Sequence, residues 1–174
     1  FWAGALVASR ILGSLGLVLQ PMSTTIEALV PTVGDDVIVL VDLNCRPHAI
    51  DDHRAYRDRV AAVATEADIV KASVEDLQFL RPDLAPLEAA NQLLGDRTRL
   101  VLVTDGGDAA HVVQRSGSTR LPVQPVAVAD TVGAGDAFGA AFLAWWLRND
   151  LDRSHLLDHA TVTRAAAAAS VVAT

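Results

Sequence analysis

The chain has 174 residues, of which 51% are hydrophobic and 20% charged, a balance typical of a folded globular protein rather than a disordered one. Its formal net charge of −7 argues against a nucleic-acid partner, because phosphate binding needs a clustered basic face and the sequence shows none. The single cysteine, Cys45, excludes an internal disulfide and favours a reducing, cytoplasmic location.

The two ends of the sequence predict that it is part of a longer protein. The apolar stretch from Phe1 to Leu19 has no basic start and is interrupted by Arg10, so neither a signal peptide nor a membrane span is expected. The sequence stops at Thr174, inside an alanine-rich helical run. We therefore expect a single partial domain over residues 1–174, with no membrane partner.

Strand-like and helix-like segments alternate along the chain. The continuous apolar, β-branched run at 37–41 is typical of a strand buried on both faces of a parallel sheet. In chain order, the predicted elements are strand 37–41, helix 51–66, strand 68–71, helix 73–80, helix 87–94, strand 100–104, strand 110–114, helix 137–147 and helix 156–173. Ser73 is the predicted N-cap of its helix and Gly95 the predicted C-cap of the next. The alternation predicts an α/β fold with a mainly parallel sheet flanked by helices.

A glycine-rich loop at 130–136 opens directly into an apolar helix. Gly133 and Gly135 allow the backbone to approach a ligand closely, and the first N–H groups of a helix have no partner within it. Together with the helix dipole, these donors form an anion site suited to phosphate. Asp136 places a carboxylate at the same helix start, so the segment combines a candidate base with donors for a phosphoryl group.

Two other glycine-rich motifs fit this segment poorly. A Walker loop requires Gly-Lys-Ser/Thr, and the segment has no lysine. A dinucleotide fingerprint requires a third glycine at the position of Phe138, but Gly139 comes one residue late. A dinucleotide-dependent oxidoreductase is therefore disfavoured.

Residues 130–136, Asp-Thr-x-Gly-Ala-Gly-Asp, resemble the C-terminal signature of the ribokinase-like, or PfkB, carbohydrate kinases at every position. Three further segments follow in the order of that family. Residues 42–46 resemble its D-x-N-x-R segment, and residues 71–77 resemble its N-x-x-E stretch with Ser73 for Asn and Asp76 for Glu. Thr104-x-Gly106 resembles its T-x-G element, with Ala109 where the family usually has glycine. The first two segments are most similar to the fructokinase and 2-keto-3-deoxygluconate kinase branches.

The resemblance implies the C-terminal portion of a ribokinase-like three-layer sandwich. It implies ATP-dependent phosphorylation of a sugar or sugar-acid hydroxyl, with Mg²⁺ and, in some members, a monovalent cation. The implied partners are a small-molecule sugar and ATP, with a homodimer in the full-length protein. The implied site residues are Asp136 as general base; Gly133, Ala134 and Gly135 as anion hole; Thr104, Gly106 and Lys71 near the nucleotide; Asp42, Asn44, Arg46, Asp130 and Thr131 near substrate or phosphates; and Glu75 and Asp76 holding the metal through water.

Each assignment has a structural alternative that the sequence leaves open. Taken alone, Asp136 would be an ordinary first-turn acid, whereas the full motif favours the catalytic role. The polar residues at 42–46, 71–76 and 104–106 also suit loops, helix starts and turns. The whole chain is alternatively a catalytically silent nucleotide-binding or structural remnant. His155 and His159 are predicted to be solvated surface residues, because a zincin helix requires glutamate directly after the first histidine.

Overall fold

The computed structural model of the chain describes residues 8–123 and 133–173. A six-stranded sheet contains all of the described strands, in the order of the chain. The strands are β1 (Ala8–Gly13), β2 (Val37–Asp42), β3 (Ile69–Ser73), β4 (Leu100–Asp105), β5 (Ala109–Gln114) and β6 (Gly117–Pro122). The first four are parallel, whereas β5 and β6 are antiparallel to their neighbours.

Helices cover both faces of this sheet, so the chain forms the predicted three-layer sandwich of helices, sheet and helices. The helices are α1 (Met22–Leu29), α2 (His53–Thr65), α3 (Val74–Leu80), α4 (Pro86–Leu93), α5 (Ala134–Arg148) and α6 (His159–Val172), with 3-10 turns at Ser14–Leu17, Val30–Thr32, Pro47–Ala49 and Arg153–Leu157. The connections between the four parallel strands contain α1, then α2, then α3 together with α4. These four helices pack on one face of the sheet, as right-handed crossovers between successive parallel strands require. The helices α5 and α6 cover the other face.

The alternation of side chains along β2 shows why residues 37–41 of this strand are all apolar. Val39 and Val41 enter the core beneath α1 to α4, while Ile38 and Leu40 enter the core beneath α5 and α6. All four are at most 1% exposed, so the predicted burial on both faces is confirmed. Burial of a side chain of this size stabilises the fold by about 1.5–3 kcal/mol.

The α5–α6 layer is built from large residues on one helix and small residues on the other. Phe142 and Trp146 of α5 are fully buried and stack with ring centroids 5.5 Å apart. Ala165, Ala166 and Ala169 of α6 are also fully buried. The small side chains of α6 therefore allow it to pack closely within this layer.

Capping groups define where several helices begin and end. Ser73 caps α3 as predicted, and Asp158 caps α6 by accepting the N–H of Ala160 at 3.1 Å. Because of that cap, α6 begins at residue 159 rather than 156, and the residues before it form a 3-10 turn. The prediction that Gly95 caps α4 is wrong: Leu94 is the C-cap, and the N–H of Gly95 donates to Thr98 in the following turn.

Three elements lie outside the sequence prediction, namely β1, α1 and β6. The segment of β6 contains glycine, serine and proline, which strands disfavour, and its pairing with β5 along a tight turn supplies the ordering instead. Over residues 8–123 and 133–173, no helix has both the length and the apolar character needed to cross a membrane.

Candidate active site

The carboxyl ends of β2, β3 and β4 meet at one edge of the sheet, as they must in neighbouring parallel strands. Asp42 lies opposite Lys71 in the β2–β3 pair, and Ser73 lies opposite Thr104 in the β3–β4 pair. Three polar segments that are separated by about thirty residues each in the sequence thus become neighbours. This edge is the usual location of ligand sites in open α/β sheets.

A buried ion pair joins two of these segments. Lys71 Nζ lies 2.7 Å from Asp42 Oδ2, and the two side chains are only 5% and 8% exposed. Burial raises the pKa of the Asp42 carboxyl, Lys71 opposes that shift, and the charges of Asp76 and Asp136 add to it. The ion pair therefore lies within electrostatic reach of Asp136.

The start of α5 has the geometry expected of an anion site. Gly133 precedes the helix with φ +85°, a left-handed conformation that favours glycine. The N–H of Ala137 donates to Gly133 O at 2.8 Å, so the N–H groups of residues 134–136 precede the first helical hydrogen bond. Asp136 is exposed in this first turn. The predicted site residues Asp130 and Thr131 lie outside the described residues.

Two glycines of α5 face the side chain of Lys71. A Cβ on Gly135 would lie 3.0 Å from Lys71 Nζ, and one on Gly139 would lie 3.5 Å from Lys71 Cδ. The first turn of α5 therefore packs against the same ammonium group that pairs with Asp42. This contact brings the glycine-rich segment to the edge formed by β2, β3 and β4.

The loop that follows β2 is tied to β3 and α3 by backbone hydrogen bonds. Leu43 N donates to Lys71 O at 2.9 Å, and Cys45 N donates to Asp76 Oδ1 at 2.7 Å. Between them, Asn44 has φ +35°, a conformation that asparagine tolerates better than most residues. Arg46 is exposed, and its Nη1 donates to the carbonyl of Cys45.

Asp76 has a structural role besides the implied metal contact, and the spacing Ser73-x-x-Asp76 is the sequence pattern of that role, a capping box. Its Oδ2 accepts the N–H of Ser73 at 2.8 Å, while Ser73 Oγ accepts the N–H of Asp76 at 3.0 Å, which completes a capping box. Since Oδ1 accepts the N–H of Cys45, both carboxylate oxygens bind backbone donors. Glu75, by contrast, is exposed. A metal bound through water near Glu75 or Asp76 stays a prediction, and residues 8–123 and 133–173 contain no group of three potential ligands that alone would hold one.

The hairpin between β4 and β5 holds the remaining predicted nucleotide residues. Gly106 is exposed with φ +48°, and the turn closes through Asp108 N donating to Asp105 O at 2.9 Å. Thr104 is half-buried at the end of β4. Both residues therefore lie at the same sheet edge as Lys71.

His159, one of the two histidines predicted to lie on the surface, instead packs against the sheet. His159 is half-buried, and its Nδ1 and Nε2 lie 2.5 Å from Gln114 Oε1 and 2.7 Å from Thr119 Oγ1. The interpretation as solvated surface is wrong for His159, because α6 begins at this residue and packs it against β5 and β6. His155 lies in the preceding 3-10 turn and pairs with Asp152.

Sequence reasoning missed the pairing of Asp42 with Lys71 and the contact of Gly139. The predicted strands ended at residues 41 and 71, and aligning those ends would have placed Val41 opposite Lys71, one residue away from the observed register of Asp42 with Lys71. The second has a weaker signal, namely that Gly135 and Gly139 are four residues apart and so share one helix face.

The family model for the pfkB family carbohydrate kinases matches residues 6–174. The chain belongs to this family. A fructokinase of Rhizobium leguminosarum bv. trifolii is 35% identical over 134 residues, which cover 76% of this chain and 40% of that protein. A probable fructokinase-5 of Arabidopsis thaliana is 32% identical over 133 residues, covering 75% of this chain and 41% of that protein. The chain thus spans about two fifths of the length of these relatives.

Solved structures of the same kind share the fold of this kinase-family chain. A fructokinase from Xylella fastidiosa with bound ATP has a TM-score of 0.84 and 26% identity, covering 95% of this chain and 53% of that one. Aminoimidazole riboside kinase from Salmonella enterica, complexed with aminoimidazole riboside and an ATP analogue, has a TM-score of 0.83 and 25% identity, covering 95% and 54%. The predicted ribokinase-like α/β architecture is confirmed.

Proposed function

We propose that the chain provides the phosphoryl-transfer part of an ATP-dependent sugar kinase, with a ketohexose such as fructose as the first substrate to test. The observation that supports this most is the position of α5. Its glycine-capped start and the exposed Asp136 lie over the ends of β2 and β3, against the Lys71 ammonium. Relatives named fructokinase support the choice of sugar.

In this proposal Asp136 accepts the proton of the attacking sugar hydroxyl. A positioned general base typically contributes about 10²–10⁴-fold to the rate. The exposure of Asp136 leaves its carboxylate accessible to a substrate. Its location in the first turn of α5 also keeps it beside the donors that bind the phosphoryl group.

The N–H groups of Ala134, Gly135 and Asp136 stabilise the negative charge on the transferred phosphoryl group. Backbone donors fixed in a helix start need no reorganisation during the reaction, which makes such stabilisation effective. The Lys71 ammonium adds a positive charge directly behind this turn. That ammonium is buried and paired with Asp42, so the backbone N–H groups are the donors that remain for a phosphoryl group.

The nucleotide is proposed to lie along the hairpin between β4 and β5, near Thr104 and Gly106. Mg²⁺ neutralises the phosphates of ATP and usually keeps several waters, needing only one or two protein carboxylates. The exposed Glu75 suits such a water-mediated contact better than Asp76, whose oxygens both accept backbone N–H groups. One available carboxylate, that of Glu75, is thus enough for a metal ion that binds together with the nucleotide.

The proposal is tested by assaying the complete gene product for sugar-dependent release of ADP from MgATP. Fructose, ribose and 2-keto-3-deoxygluconate are compared with a reaction that lacks sugar. We expect at least one sugar, fructose first, to raise ADP release well above that background. Binding of ATP without ADP release on any sugar would instead identify a catalytically silent remnant.

A further inference from the structure

The side chain of Lys71 runs from β3 along one face of α5. Gly135 and Gly139 share that face because they are four residues apart. Separations below 3.0 Å are essentially never seen for a real Cβ, and a Cβ on Gly135 would lie at that limit from Lys71 Nζ. The ammonium therefore leaves little room for any side chain at residue 135.

Asp42 fixes the ammonium from the opposite side. Its Oδ2 lies 2.7 Å from Lys71 Nζ, and the two residues are directly opposite in the β2–β3 register. With side-chain exposures of 5% and 8%, both partners are almost completely shielded from water. The ammonium is held between a strand carboxylate and a helix backbone.

Stability alone does not account for an ion pair at this depth. Desolvation of two buried charges often exceeds their attraction, and apolar residues of similar volume are commonly as stable. The pair is also incompletely satisfied, because Asp42 Oδ1 is buried without a hydrogen-bond partner among the described residues. An ion pair does, however, fix the position of a charge, which an apolar pair cannot.

We propose that Asp42 and Lys71 form a positioning pair for the first turn of α5. Asp42 holds the ammonium, and the ammonium sets the place of the N–H groups of residues 134–136 and of the Asp136 carboxylate. This inference rests on the proposed kinase function. It makes Asp42 a support beneath the site rather than a group that touches the sugar.

A double-mutant cycle between Gly135→Ala and Lys71→Met tests the contact. Methionine keeps most of the stem but ends one atom short, so the new Cβ at residue 135 would meet only ordinary contacts. We expect Gly135→Ala to lower kcat at least tenfold in the wild-type background and less than threefold in the Lys71→Met background. Additive effects, with the same fold-change in both backgrounds, would overturn the proposal.

Gly139→Ala is the matched control. Its Cβ would lie 3.5 Å from Lys71 Cδ, an ordinary van der Waals distance, and alanine is the better helix former. This variant is expected to keep kcat within threefold of wild type. A loss as large as that of Gly135→Ala would show that any side chain on this face is harmful, which contradicts a specific role of the ammonium.

Amide hydrogen exchange separates this inference from the proposed function, because it requires no turnover. In ligand-free protein, Asp42→Asn is expected to speed exchange at Ala137 and Phe138 at least tenfold, while amides within α6 exchange as in wild type. If the wild-type protein phosphorylates no sugar, the proposed function fails and the exchange result still decides the positioning role. If wild type is active but Asp42→Asn leaves exchange at the start of α5 unchanged, only the positioning pair is wrong.

Discussion

Asp76 accepts the backbone N–H of Cys45 across 31 residues of sequence, at 2.7 Å. The same carboxylate caps α3 through Ser73. One side chain therefore fixes the loop after β2 and the helix after β3 at the same sheet edge. Asp76, which the family resemblance implies as a metal contact, therefore also holds the loop and the helix in place at the site.

Asp76→Asn should destabilise the complete gene product by about 1–3 kcal/mol, because an amide group replaces one of two buried acceptors and leaves a backbone N–H without its partner. Urea denaturation with an unchanged m-value measures the loss. Glu75→Gln is the control, since Glu75 is exposed on the neighbouring turn and should change stability by no more than about 0.5 kcal/mol. Equal midpoints for wild type and Asp76→Asn would contradict the structural role.

The thiol of Cys45 should be unreactive in the folded protein. Burial raises its pKa to about 12, with the Asp76 charge adding to the shift, and Tyr56 Oη lies 3.3 Å from the sulfur. At pH 8 the thiolate fraction is then on the order of 10⁻⁴, against about a tenth for an unperturbed thiol. A thiol reagent such as 5,5′-dithiobis(2-nitrobenzoate) is expected to label Cys45 rapidly only in urea. Equally fast labelling of native protein would disprove this assignment.

The same pKa shift predicts how stability depends on alkaline pH. The folded pKa of Cys45, about 12, lies above the ordinary value of 9.0, so the folded state holds the thiol proton more tightly than the unfolded state does. The resulting contribution to stability is complete below pH 9 and is lost as the pH rises towards 12. Cys45→Ala should therefore show a shallower loss of urea midpoint between pH 9 and 10.5 than wild type, and parallel curves would count against the shift.

At the opposite end of the sheet, Asp68 forms a buried ion pair whose removal should be costly. The Asp68 side chain is fully buried, and its Oδ1 lies 2.7 Å from Arg153 Nε. Asp68→Asn removes the buried charge partner of the guanidinium and leaves it only the exposed Asp35, so we expect a loss of about 3–5 kcal/mol of stability. Asp35→Asn is the matched control, because Asp35 pairs with the same arginine while 95% exposed. Similar denaturation midpoints for the two variants would contradict the larger contribution to stability that we expect of the buried Asp68 carboxylate.

Much of the fold was predictable because its signals are local. The apolar run at 37–41 and the N-cap Ser73 each constrain a few consecutive residues, and both predictions are confirmed. The segment of β6 carries no such signal, since its order comes from pairing with β5. The half-burial of His159 likewise depends on contacts with Gln114 and Thr119, about forty residues away.

The candidate site was predictable in its parts but not in its arrangement. The residue patterns at 42–46, 71–77 and 133–136 indicated which residues to group, and parallel strand register explains why the first two meet. The sequence did not show that Asp42 faces Lys71, or that Asp76 also accepts the N–H of Cys45, because both contacts join separate strands and loops. The roles of the site residues in binding and catalysis stay predictions.

The most direct test of the central claim is Asp136→Asn in the complete gene product. Asparagine keeps the size of the side chain but cannot accept a proton, while the N–H groups of residues 134–136 remain in place. We expect turnover with the preferred sugar to fall at least ~10²-fold, ATP affinity to stay within a few-fold, and stability to change by no more than about 1 kcal/mol. Steady-state kinetics, ATP titration and thermal melting on one preparation measure all three, and a variant that keeps more than about a tenth of wild-type turnover would contradict the role of Asp136 as general base.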